Sequence, residues 1–390
     1  MLGEDNNFQV CKVYRDYWTR TECRVGNFSG VEKVINHIIR YIIPSKDPLN
    51  FKFQQSPQTE LIKKVDEYIS KYSVMAFLVI KNGEIVLERY QYDRKPDMTF
   101  RAMSMSKTFT AMLVGIAHQK GFIKSLDDKV SNYWSEIKVS PYGDVTIKEL
   151  LRMASGVDGG VYDSSKAGNH QAFVELYKQE NLSQPSKFNE YLNNIKSNGV
   201  KGKFRYLDQD TEVLARVLVK ATNKNITTLT SEWLWQPMGG KEVGKWIYAE
   251  TDNIEIGSSG LNASLYDYGR FGVLLANDGK YKNNQVIPLN FLTDATDIKK
   301  TPQSHVGLNS SNAFQYGYGY QTWIQPNKER TFCALGHFGQ IICVQPSSKI
   351  VMVQVAAGDN DSWRNSFGSM GGALNSLWEN VLKDLGGSVD

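Results

Sequence analysis

The segment Ser104-Met105-Ser106-Lys107 places a hydroxyl and an amine three residues apart at the start of a stretch with helical periodicity, 102–119. Residues three apart share a helix face, so Ser104 Oγ and Lys107 Nζ come within hydrogen-bond reach. A serine hydroxyl attacks a carbonyl only when a base takes its proton. A lysine does so if burial or neighbouring cations depress its pKa. The helix N-terminus adds free N–H groups and partial positive charge that favour a developing oxyanion. The same residues also fit a plain N-cap before an amphipathic helix, and a Ser-x-x-Lys match by itself is weak. A Gly-x-Ser-x-Gly nucleophile elbow is absent, which argues against an α/β-hydrolase. The histidines have no partners at metal-ligand spacing, which argues against a metallohydrolase and for no metal and no cofactor.

The elements that must position this pair follow from periodicity. Apolar residues Met105, Phe109, Met112, Leu113 and Ile116 mark one helix face, and Gly121 ends it. Before it, a helix is expected at 59–71, then two β-rich runs, 76–80 and 85–87, joined by Asn82-Gly83, a hairpin signal. Residues 1–55 read as an irregular extension around one amphipathic helix at 31–43. Helical patterns dominate 131–240, broken by loops at 155–170 and 197–209. Strand-like segments return after 245, clearest at 340–344 and 350–356, and a helix at 366–385 closes the chain. These elements do not alternate as a doubly wound fold requires. They fit an α/β (α+β) architecture: an antiparallel sheet split in sequence, 56–130 and 241–390, with terminal helices and a mainly helical insert at 131–240.

The 390 residues carry 41% apolar and 22% charged side chains and a net charge of +4, the balance of a globular chain. No Lys/Arg block supports nucleic-acid binding, and no apolar run is long enough to span a bilayer. The N-terminus, Met1-Leu2-Gly3-Glu4-Asp5, lacks the basic start and apolar core of a secretory signal. A cytoplasmic protein is expected, or a periplasmic one if the chain is a processed form. Cys11 with Cys23, or Cys333 with Cys343, would pair in an oxidising compartment, and small buried apolar residues are an equal reading.

Beyond the pair itself, the segment 100–110, Phe-Arg-Ala-Met-Ser-Met-Ser-Lys-Thr-Phe-Thr, resembles the nucleophile region of the serine β-lactamase and penicillin-binding-protein family. It is most similar to the class C β-lactamase-related esterases and the 6-aminohexanoate-dimer hydrolases. Further stretches resemble the family in order: Leu150-Leu151-Arg152-Met153-Ala154-Ser155-Gly156-Val157, then Phe204-Arg205-Tyr206-Leu207-Asp208. Gly257-Ser258-Ser259-Gly260-Leu261 through Gly272 follows, then Gly336-His337-Phe338-Gly339-Gln340. The likeness runs from about 70 to 380, and the ordered set is more specific than any one member.

The resemblance implies a serine hydrolase acting through an acyl-enzyme, with Ser104 as nucleophile and Lys107 and Tyr206 as activating bases. It implies a small amide or ester as substrate; the oligomeric state is left open, a homodimer being one option. A backbone N–H near His337 would complete an oxyanion hole with that of Ser104, and Gly339 would let the strand approach an acyl group. Tyr162 falls where the nylon-oligomer hydrolases carry a tyrosine that supports amide cleavage, and Trp323 would wall an apolar acyl pocket. Two departures stand out. Asp208 replaces an asparagine that donates to substrate; a carboxylate cannot donate, and it would favour a charged Lys107, shifting the base role toward Tyr206, with a solvated loop aspartate or a cap of the following helix as an equal reading. The third motif lacks the lysine that meets a β-lactam carboxylate. The alternatives are therefore a β-lactamase or D-Ala-D-Ala carboxypeptidase, which both departures disfavour, and a non-catalytic scaffold, which the intact Ser104/Lys107/Tyr206 set disfavours.

Overall fold

The computed structural model describes residues 2, 4, 7–10, 21–30, 32–35, 38–55, 58–158, 191, 192, 194, 195, 197, 199–249, 253–310, 312–358 and 369–390. Its centre is an eight-stranded sheet. In spatial order the strands are Gly317–Tyr318, Trp323–Ile324, Phe332–Gly336, Gln340–Gln345, Ile350–Ala356, Val74–Lys81, Glu84–Tyr90 and Lys52–Phe53. Every pairing is antiparallel except the last. The Asn82-Gly83 turn has positive φ at both residues, 52° and 79°, the type I′ geometry that the dipeptide favours.

Both faces of this sheet are covered, which is why its central strands read as unbroken apolar runs. Strand periodicity of two sends Phe77, Val79 and Met352 to one side, against Leu61 and Val65 of the Thr59–Lys71 helix and Leu374 and Trp378 of the Ser369–Asp384 helix. Leu78, Ile80, Val351 and Val353 face the other way, into the core shared with the helices Leu265–Ala276 and Ser106–Gln119. Gly272 shows how close the first of these lies, since a Cβ there would stand 2.4 Å from Val351 Cγ1. The expected strands and terminal helices are thus present, in the antiparallel, helix-covered arrangement read from the sequence.

One expectation is overturned. Within 31–43 the described α-helix is confined to Glu32–Ile35, and Ile39–Tyr41 is a strand paired with Lys245–Ala249. Ile39 is buried with Ile247 and Ile256, so the β-branched run satisfies a sheet edge better than a helix face. That strand opens a second antiparallel sheet, Ile39–Tyr41, Lys245–Ala249, Leu261–Ser264 and Thr99–Arg101, with Ile254–Glu255 on its second strand. The regular elements described within 131–240 are helical, chiefly Ile147–Leu151 and Asp208–Thr222. Cys333 and Cys343 face each other across neighbouring strands and form a disulfide. Cys23 is also disulfide-bonded, and Cys11 lies outside the described residues. Among the described residues no helix is long and apolar enough to cross a membrane.

Candidate active site

The Thr99–Arg101 strand runs into a single 3₁₀ turn, Met103–Met105, before the Ser106–Gln119 helix begins. Met103 sits at φ 51°, a left-handed conformation that a long side chain adopts only when its surroundings impose it. The turn is held by Ala102 N–H on the Leu261 carbonyl, 2.8 Å, and Leu261 N–H on Ser106 Oγ, 3.1 Å. From Phe100 to Ala117 every residue is buried except Ser104, which keeps access to solvent. A helix buried on all sides belongs in a core, and the turn that precedes this one carries a single partly accessible hydroxyl.

Lys107 lies beneath that hydroxyl, 1% exposed. Its Nζ donates to Ser104 Oγ at 2.9 Å and to the Ser258 carbonyl at 3.1 Å, and stands 2.6 Å from Asp208 Oδ1. Three acceptors around an ammonium satisfy its three protons. Burial works against the charge, but the Asp208 carboxylate and Tyr206 outweigh it and hold the Lys107 pKa well above the usual lysine range. Asp208 occupies the first turn of the Asp208–Thr222 helix, where the helix N-terminus favours its negative charge.

Tyr206 reaches the same point from two residues before that helix. Its side chain comes against both Ser104 and Lys107, and Lys107 Nζ is 5.1 Å from its ring centroid. Burial pushes the phenol pKa up; the Lys107 ammonium pulls it back, Asp208 pushes it up again, and the neighbouring Ser104 and Lys107 polar groups lower it. The net direction is upward, so the resting group is a phenol. The ring stacks on Trp323 at 5.6 Å and 19°, with Tyr318 edge-on at 5.9 Å. The backbone on either side is anchored to the 153–157 loop: Arg205 N–H donates to the Met153 carbonyl at 2.7 Å and Leu207 N–H to Met153 Sδ at 3.3 Å.

The end of the Phe332–Gly336 strand closes the other side. A Cβ on Gly336 would lie 2.4 Å from the Ala102 carbonyl oxygen and 3.1 Å from Met103 Cβ, so only glycine allows this approach. The peptide that follows, Gly336–His337, is thereby brought beside the turn that carries Ser104.

The beta-lactamase family profile matches residues 61–365. The chain belongs to the beta-lactamase family. As a member it is a serine hydrolase. The 6-aminohexanoate-dimer hydrolase of Paenarthrobacter ureafaciens is 22% identical over 303 residues, covering 77% of this chain and 76% of that protein. A Bacillus anthracis protein provisionally assigned as a 6-aminohexanoate-dimer hydrolase has the same fold, with a TM-score of 0.75, 23% identity, and 99% and 97% of the two chains covered. EstCE1, a hydrolase with promiscuous acyltransferase activity, superposes with a TM-score of 0.62 at 15% identity, over 83% of this chain and 99% of its own.

The structure gathers Ser104, Lys107, Tyr206 and Asp208 into one cluster, with Trp323 behind Tyr206. Gly339, at φ 95°, shapes the turn after His337, and its nearest neighbours are Ala356, Met370 and Gln354. The half-buried His337 ring packs edge-on against Phe338 at 4.1 Å. Tyr162 lies outside the described residues, as do His37 and His170. His118 and His305 make local hydrogen bonds, to the Ile123 carbonyl and to Ser304 Oγ. Among the described residues no group of His, Cys, Asp or Glu could hold a metal ion.

One contributor was missed in the sequence. Glu212, fully buried, accepts the Ser258 N–H at 2.9 Å, and the Ser258 carbonyl is a ligand of the Lys107 ammonium. Arg216 compensates its charge at 3.2 Å. Asp208, Glu212 and Arg216 recur at a spacing of four on one helix, a face periodicity that would have flagged the network.

Proposed function

We propose that the chain hydrolyses small amides or esters through an acyl-enzyme on Ser104. The observation that carries this reading is the meeting of three groups: Lys107 Nζ 2.9 Å from Ser104 Oγ, and the Tyr206 ring 5.1 Å from the same Nζ, with its phenol influenced by both. Because Asp208 keeps Lys107 charged, the proton acceptor is Tyr206, acting as a phenolate stabilised by the adjacent ammonium. Ser104 Oγ loses its proton to this oxygen and attacks the substrate carbonyl carbon. The oxyanion forms between the N–H groups of Ser104 and His337. The proton then passes from Tyr206 to the leaving amine or alcohol, and water repeats the sequence to release the acid.

The third motif offers His337 and no lysine for a substrate carboxylate, which favours uncharged acyl groups over β-lactams. Trp323, Tyr318 and Phe204 form an aromatic wall beside Tyr206, suited to an apolar acyl chain. The similarity to a 6-aminohexanoate-dimer hydrolase supports short amides of ω-amino acids as one substrate class.

The test combines intact-mass spectrometry after a fluorophosphonate with turnover of p-nitrophenyl butyrate and nitrocefin. A single adduct on Ser104 and faster ester than nitrocefin turnover are expected. Ser104→Ala should lower kcat by roughly four to six orders of magnitude while the protein stays folded, and Lys107→Ala and Tyr206→Phe should add little in combination with it. Wild-type esterase activity in Ser104→Ala would end the proposal.

A further inference from the structure

Among the residues with side chains beyond Cβ that take left-handed backbone conformations around the site are Met103 at φ 51° and Phe338 at φ 67°. The first is locked by the burial of the nucleophile turn. The second lies in the three-residue turn 337–339, where an aromatic residue is a strained choice that its surroundings must impose. Part of the restraint is local, since the Phe338 carbonyl accepts Gly358 N–H at 3.1 Å. The ring itself is held from elsewhere. Phe28, 1% exposed, meets it edge-on with centroids 5.2 Å apart, and Phe338 is 2% exposed.

Phe28 belongs to the short helix Arg24–Phe28, in a part of the chain that precedes the family-matched residues 61–365. That helix is tightly seated. A Cβ on Gly26 would fall 2.3 Å from the Gln9 carbonyl oxygen, Ser29 Oγ takes a hydrogen bond from Arg94 Nη1 at 2.6 Å, and the Arg94 guanidinium lies 5.6 Å over the Phe8 ring. The N-terminal segment thus presses a fixed aromatic ring on the residue that follows the proposed second oxyanion donor.

We infer that Phe28 is a positioning residue for the oxyanion turn: by packing on Phe338 it keeps residue 338 left-handed and so holds the 337–339 turn that presents the His337 N–H. This rests on the acyl-enzyme reading above. Without the Phe28 ring, Phe338 relaxes toward negative φ and the His337 N–H swings off the oxyanion, which weakens transition-state binding more than substrate binding.

The experiment measures kcat, KM and thermal midpoint for Phe28→Ala and Phe28→Leu, each in the wild-type and the Phe338→Gly background, on p-nitrophenyl butyrate. Phe28→Ala is expected to lower kcat about tenfold, and Phe28→Leu about threefold, with KM nearly unchanged, short of the loss on deleting a whole oxyanion donor. With glycine at 338, which adopts positive φ without the steric penalty of a side chain, both losses should fall below about twofold. If Phe28→Ala does not fold, Phe28→Leu decides by the same comparison. A lowered thermal midpoint with kcat intact, or equal kcat losses in both backgrounds, would overturn the inference and leave Phe28 an ordinary core residue. Ser104→Ala run in parallel separates the two readings: activity independent of Ser104 defeats the acyl-enzyme proposal, whereas Ser104-dependent activity insensitive to Phe28 defeats only this one.

Discussion

Replacing Asp208 by asparagine should move the acid limb of the pH profile toward lower pH. Asp208 Oδ1 lies 2.6 Å from Lys107 Nζ. Half a unit charge at about 3 Å, in an effective dielectric of about 20, interacts by about 3 kcal/mol, or about 2 pK units. The Asp208→Asn change therefore lowers the Lys107 pKa by that order, but from a value held well above the usual lysine range, so the ammonium persists at neutral pH. The carboxylate also raises the Tyr206 pKa. Its removal lets the phenol ionise at lower pH, so at any pH on the limb more of the enzyme carries the competent phenolate. A shift of about one unit is the scale expected for a neighbouring charge, equal to roughly a tenfold gain in kcat/KM at a fixed pH on the limb. The assay is the rate of the acylation burst with a chromogenic ester, followed by stopped flow from neutral to alkaline pH. A limb that stays in place, or moves to higher pH, would refute the assignment of Tyr206 as acceptor under the influence of Asp208.

Three further outcomes follow from the same network and its surroundings. Glu212→Gln keeps an acceptor for Ser258 N–H and should leave kcat within about threefold, whereas Glu212→Ala frees the Ser258 peptide, removes a carboxylate from beside Arg216 and should lower kcat about tenfold; unchanged kcat in the alanine variant would sink the idea. Burial raises the Asp210 carboxyl to about 7, although Tyr142 and Ser155 hydrogen bonds oppose it. The folded chain then keeps a proton that the unfolded chain releases above about pH 4, so stability falls between about pH 4 and 7 and is flat above. Asp210→Asn should remove this slope and gain up to about 4 kcal/mol at alkaline pH, and chemical denaturation curves that run parallel for the two proteins would contradict it. Loss of the Cys333–Cys343 bond, which spans ten residues, should cost about 2–3 kcal/mol of unfolding free energy, read from denaturant midpoints of Cys333→Ala/Cys343→Ala; identical midpoints would show that the bond does not constrain the chain.

Much of this protein is written locally. The Thr59–Lys71 helix and the Asn-Gly hairpin are set by periodicity and turn chemistry within a few residues, and the structure reproduces both. Ser104 and Lys107 are legible as a pair because three residues of one turn suffice to bring them together. The departure at Asp208 was also readable as chemistry: a carboxylate beside an amine holds it charged, whatever the fold. What the sequence could not decide involves partners distant in the chain. Residues 39–41 became a strand because a buried edge lay waiting at 245–249, which no local periodicity reports. Glu212 acts on Lys107 only through the peptide of Ser258, and Gly336 matters because the Ala102 carbonyl is where its Cβ would be. Local propensity is a property of a few bonded neighbours, whereas a site is a coincidence in space of groups up to hundreds of residues apart. The hydroxyl and the ammonium are paired by local sequence; the phenol and the strand end are named in advance only through resemblance, and their meeting with the Ser258 carbonyl is decided by packing.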